Sequence, residues 1–167
     1  MKKTSFILLF LLLLSYAHAY AEDTTYTDEK YNFYITYPSD YRTFENFKGA
    51  SITVFFPKQG FFDFFNGYVS VIAKSTRPTS RPTGELIDIY FKYDKTVSGK
   101  EQVKINDIDF LSVVQTKKMF FFDLKLYILI TVKGTKMYTI TYINTADNYD
   151  KCIDKAKQIM HSFRFLE

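Results

Sequence analysis

The chain has 167 residues, 47% of them hydrophobic and 19% aromatic, with a formal net charge of +4. So slight an excess of basic groups excludes nucleic acid as the main partner, because that partner demands a concentrated basic face. The single cysteine, Cys152, excludes an intramolecular disulfide, so packing alone must hold the fold.

The first element is a leader. Met1-Lys2-Lys3 is basic, Phe6 to Leu14 is apolar, and Ala17-His18-Ala19-Tyr20-Ala21 places small residues at alternate positions. These are the three parts of a secretory signal peptide, residues 1–21, with cleavage expected after Ala19 or Ala21. The apolar run falls short of the roughly 20 residues that cross a bilayer, so no transmembrane anchor is expected after cleavage. No cysteine near the cut offers a lipid attachment point. Residues 22–167 are then expected as one periplasmic or secreted domain. They keep 16 Phe and 12 Tyr and a net charge of +2. Each buried aromatic removes a large apolar area from water, which compensates for the missing covalent staple.

Residues 22–30 are polar and read as an extended lead-in. Tyr31, Phe33, Ile35 and Tyr37 alternate with Asn32, Tyr34 and Thr36, the period of a half-buried strand, and Pro38-Ser39-Asp40 ends it. A second strand is predicted over Ser51 to Phe56. A third opens at Gly67, with Val69, Val71 and Ala73 on one face. Ser75 to Gly84, with two prolines, is a loop. Leu86, Ile89, Tyr90 and Tyr93 share a helical face, which predicts a helix over Glu85 to Lys95 with Thr83 as its cap.

Four strands follow: Gln102 to Ile105, Phe110 to Thr116, Phe121 to Val132 and Met137 to Ile143. The last two are joined by Lys133-Gly134, where glycine supplies the positive φ of a tight turn. The cluster Phe120-Phe121-Phe122 reads as the buried start of its strand. Tyr149, Cys152, Ile153, Ala156, Ile159, Met160 and Phe163 then make the apolar stripe of a closing helix. Strands, helix, strands, helix indicate an α+β fold: a central, mainly antiparallel sheet flanked by helices.

These residues carry a resemblance. Tyr31-Asn32-Phe33-Tyr34-Ile35-Thr36-Tyr37-Pro38-Ser39-Asp40-Tyr41 resembles the opening strand and turn of the PsbP-like family, the α-β-α sandwich shared with DcrB-type proteins. Lys136 to Tyr142, followed by a helix ending in Ser162-Phe163, is similar to that family's last strand and closing helix. The likeness covers residues 26–166. Asn32 and Tyr41 stand where the family often has glycine and tryptophan. The resemblance implies an α-β-α sandwich and a non-enzymatic accessory or binding role, with no cofactor.

Chemistry-bearing motifs are sparse. His161 is the only histidine beyond the leader, and a lone histidine near a helix end is more often a surface group than a catalyst. Cys152 falls on the apolar stripe, where a thiol is inert. No G-x-S-x-G elbow or phosphate-binding glycine loop occurs, so no catalytic residue is assigned. Asp147, Asp150 and Asp154 fit a solvated helix start, and Asp107 and Asp109 flank a turn, so no metal site is assigned.

The unusual segment is Pro57 to Gly67, with Phe61, Phe62, Phe64 and Phe65 inside a predicted connection between strands. Loops run over the surface, so an aromatic loop suggests binding, with Lys58 at its rim; folding back onto the core is the alternative. The expected partner is another envelope or secreted protein. The alternative is a carrier or sensor of a small apolar ligand or lipid beneath loop 60–67; a weaker one is a hydrolase with a site that the sequence does not display.

Overall fold

The alternating segments form strands, and every strand pair is antiparallel. The computed structural model describes residues 22–58, 65–76, 85, 91, 94–119 and 121–167. In chain order the strands are β1 (Asp23–Asp28), β2 (Phe33–Pro38), β3 (Arg42–Glu45), β4 (Ile52–Phe55), β5 (Tyr68–Ser75), β6 (Val97–Ile105), β7 (Ile108–Met119), β8 (Phe122–Lys133), β9 (Lys136–Thr145) and β10 (Arg164–Phe165). One regular helix, α1 (Ala146–His161), is present among the described residues. A three-stranded sheet has the order β1-β2-β10, and a seven-stranded sheet the order β3-β4-β5-β9-β8-β7-β6.

Period-two alternation gives the large sheet two faces, and both are apolar. The inner face carries Ile52, Val54, Val69, Val71, Phe110, Leu129, Tyr138, Ile140 and Tyr142. The stripe of α1 packs against it, burying Tyr149, Cys152, Ala156, Ile159 and Met160. The small sheet closes the same core through Phe33 and Ile35, and the ring of Phe33 stacks on Phe163 at 5.3 Å. The outer face carries Leu111, Val113, Leu124, Leu126, Ile128 and Ile130, with Phe65, Phe91, Val97, Met137 and Ile143 packed against them. Burial on both faces explains why β8 is apolar along most of its length.

Four aspects of the sequence reading change, and a fifth falls largely outside the described residues. Residues 22–30 are not a simple lead-in: Asp23–Asp28 is β1, whose exposed threonines and acids show no apolar alternation. Strands β3 and β10 are too short, at four and two residues, to generate a readable period. Strand β2 begins at Phe33 rather than Tyr31, because Asn32 adopts a left-handed turn at φ 62°. The predicted helix over Glu85 to Lys95 lies mostly outside the described residues; Glu85 and Phe91 are helical, and Lys95 is in a turn. The sheet flanked by helices is therefore seen here as antiparallel sheets with one regular helix.

Two tyrosine hydroxyls inside the core have hydrogen-bond partners. Tyr138 donates to the Tyr31 carbonyl at 2.7 Å, and Tyr142 to the Tyr149 carbonyl at 3.0 Å. Burial raises the pKa of both, so they remain neutral donors.

Candidate functional site

The register of the large sheet aligns residues that are far apart in sequence. Arg42 faces Phe55, Phe55 faces Tyr68, Tyr68 faces Ile143, and Ile143 faces Leu126. Facing residues in a ladder point to the same side of the sheet, so this row crosses five strands on the outer face. A groove of about 670 Å³ lies along it, lined by Arg42, Phe44, Phe47, Lys48, Phe55, Lys58, Phe65, Tyr68, Met119 and Leu124 among others.

The rings of the groove form a continuous series. Phe44 and Phe47 each meet Phe55, at 5.6 and 5.9 Å between centroids. Phe55 meets Tyr68 at 5.3 Å, Tyr68 meets Phe65 at 6.2 Å, and Phe65 meets Phe122 at 5.9 Å. These separations suit edge-to-face and offset contacts, so the wall is a packed aromatic surface. Burial raises the Tyr68 pKa above its usual value of 10, which keeps its hydroxyl uncharged within the groove.

The charges at the mouth are mostly positive. Among the described residues Arg42, Lys48 and Lys58 line it, against the carboxylate of Asp40. The Arg42 guanidinium lies over the Phe44 ring at 4.5 Å and the Lys48 ammonium over the Phe47 ring at 5.3 Å. Phe47 and Lys48 sit in a tight turn in which Asn46, Lys48 and Gly49 all have positive φ. Side chains other than glycine rarely adopt that geometry, so the turn that presents these two residues is an unusual one.

Of the residues singled out in sequence, Lys58 and Phe65 line the groove. Phe61, Phe62 and Phe64 lie outside the described residues. Sequence reasoning missed Arg42, Phe44, Phe47, Phe55 and Tyr68, which come from separate strands and a turn. It also placed Phe121 and Phe122 in the core. Phe121 is instead 99% exposed and Phe122 is 36% exposed at the β7–β8 turn.

Other candidate groups have structural partners. The Ser162 hydroxyl accepts from the Thr36 N–H at 2.8 Å and lies within donating distance of the Thr36 and Ile159 carbonyls, which ties α1 to β2. It lines a second cleft of about 350 Å³ with Asp23, Asp40, Tyr41 and Lys155. Cys152 is buried. Asp150 pairs with Lys125 at 3.4 Å on the surface. Among the described residues no three histidine, cysteine or carboxylate side chains converge as a metal site.

His161 is half-buried, and its Nε2 is buried with no hydrogen-bond partner. Burial, and secondarily the charge of Lys157, lowers its pKa from the ordinary 6.5. Protonation then favours the unfolded chain. Stability is complete above the ordinary value and is lost as pH falls through the window below it. The urea midpoint is expected to fall from about pH 7 to about pH 5, with a shallower fall in His161→Gln. Parallel denaturation curves for the two proteins at each pH would measure this.

Solved structures match this architecture. The cyanobacterial PsbP (CyanoP) from Synechocystis sp. PCC 6803 superposes with a TM-score of 0.57 at 12% identity, over 89% of this chain and 95% of that one. Its fold is PsbP-like. LpqN of Mycobacterium tuberculosis, a protein involved in cell envelope biogenesis, matches at TM-score 0.63 and 9% identity, over 87% of this chain and 91% of its own. A Bacteroides thetaiotaomicron VPI-5482 protein matches at TM-score 0.61 and 17% identity, over 86% of this chain. This chain spans about half of the Bacteroides protein, 48% of its length. No family model and no curated protein matches the sequence. At these identities the PsbP-like likeness concerns the fold, and the groove must be argued from its own residues.

Proposed function

We propose that this PsbP-like chain is a non-catalytic, exported accessory protein that binds the apolar part of a ligand in its aromatic groove. The observation that carries the reading is the groove itself: about 670 Å³, walled by rings drawn from several strands. That volume lies in the range of sites for a single small ligand. Among the described residues, three cations against one carboxylate at the mouth favour a ligand with a negative group, such as a fatty acid or an anionic lipid. The reading includes removal of the leader and a second helical layer over the outer face. The helical backbone at Glu85 and Phe91, and the packing of Phe91 on that face, support the layer.

The sequence alone put a protein partner first, and a concave site moves the small ligand ahead of it. No helix among the described residues is long and apolar enough to cross a membrane. The test is a fluorescence titration of residues 22–167 with dansyl-labelled undecanoic acid. Saturable binding is expected, weakened about tenfold by Phe44→Ser and by Arg42→Glu, as expected for residues central to a binding surface. Absence of saturable binding, with a protein instead recovered by capture from envelope extract, would overturn the ligand reading.

A further inference from the structure

The exposed large hydrophobic residues among those described are Phe44, Phe47, Met119, Phe121 and Phe122. They gather at one end of the large sheet. Phe44, Phe47 and Met119 border the groove, Phe122 touches Phe65 on its wall, and Phe121 is the neighbour of Phe122 at the hairpin turn. Scattered single residues of this kind are ordinary; five at one end form a patch.

Cations surround the patch. Lys117 shares the face of β7 that carries Met119, Lys118 lies on the opposite face at the same end, both exposed, and Arg42, Lys48 and Lys58 border the groove. Among the described residues the carboxylates at this end are Asp40 at the groove and Asp123, which lies opposite Lys118 in the hairpin register. The Asp94 carboxyl is held below its usual range chiefly by hydrogen bonds from Thr96, with Lys117 contributing less. Glu45 alternates to the other side of β3 and acts on Tyr26. Lys125 is engaged elsewhere, over the Tyr149 ring and against Asp150.

We propose that the β7–β8 hairpin turn and the rim of the groove dock on an anionic lipid bilayer surface. A ring 99% exposed at a turn can enter the interfacial layer of a bilayer without leaving any core contact. Lysine and arginine beside it then meet lipid phosphates, the pairing of apolar insertion with basic charge that interfacial binding requires. A protein partner would need a pocket for this protruding turn, whereas a bilayer yields to it. The docking stands whether or not the groove holds a ligand, because Phe121 is not among the residues that line the groove.

The experiment is co-sedimentation of residues 22–167, which contain every described element, with vesicles. One set is equimolar phosphatidylglycerol and phosphatidylethanolamine; the other is phosphatidylcholine alone. Binding is expected on the anionic set, weakened by added salt, and reduced about tenfold or more in Phe121→Ser. Lys117→Gln with Lys118→Gln should reduce it on the anionic set as well. Circular dichroism of Phe121→Ser should match the parent, and titration with the labelled fatty acid should be unchanged, which separates docking from ligand binding. Equal binding to both vesicle sets, or retention of binding by Phe121→Ser, overturns the proposal. So does sedimentation velocity showing a dimer that Phe121→Ser dissolves while the parent ignores vesicles, since the patch would then join two copies of this chain.

Discussion

Phe33→Ala is expected to destabilise the protein by about 3–5 kcal/mol, the range for removing a buried phenylalanine ring. Phe33 is fully buried at the meeting point of three elements. Its ring stacks on Phe163 at 5.3 Å, meets Tyr138 edge-on at 6.0 Å and Tyr26 at 6.1 Å. Each such pair adds about 0.5–1.5 kcal/mol beyond area burial, and truncation also leaves a cavity. The backbone of Phe33 pairs with both Asp28 and Phe165, so the small sheet is centred on it. Equilibrium urea denaturation measures the loss. Phe121→Ser is the control, since so exposed a ring should alter stability by no more than about 0.5 kcal/mol.

Gly67→Ala should cost about 2 kcal/mol, for a reason that the glycine's own conformation does not supply. A Cβ there would stand 2.5 Å from Nδ2 and 2.7 Å from Cγ of Asn144, and 3.1 Å from the Ile143 carbonyl. Asn144 is 3% exposed and has little room to move. Its amide donates to the Tyr142 hydroxyl at 3.1 Å, and its Oδ1 accepts from the Thr145 N–H at 2.9 Å, at the start of α1. Overpacking here costs about 1–3 kcal/mol, and the loss of chain entropy in the unfolded state returns under about 1 kcal/mol. Asn144→Ala should absorb most of the penalty. A double-mutant cycle with a coupling of about 1 kcal/mol or more would show it, whereas independent costs would refute the steric account. Phe65 precedes Gly67 by two residues, so the same change should also disturb the groove wall.

Both effects concern residues that the sequence marked correctly in kind but not in role. Phe33 was legible as a core position from its alternation with Asn32 and Tyr34. Gly67 was legible as the opening of a strand, yet its reason is a distant asparagine that β9 brings alongside β5. The β7–β8 hairpin shows the opposite failure. Local hydrophobicity placed Phe121 in the core, but the turn falls at that residue, and a turn residue has no sheet face against which to pack.

The sequence by itself determined the antiparallel meander, the apolar stripe of α1 and the PsbP-like resemblance. Each rests on a period of two or on three- and four-residue steps, which neighbours along the chain display directly. It also singled out Lys58 and Phe65 as candidate binding residues. Only the tertiary structure set these two in an aromatic groove. Arg42, Phe55 and Tyr68 become neighbours through strand register, and Met119 and Leu124 approach the same groove from a separate hairpin. Register is a relation between strands, fixed by which faces must be buried together, so reading along the chain does not reveal it.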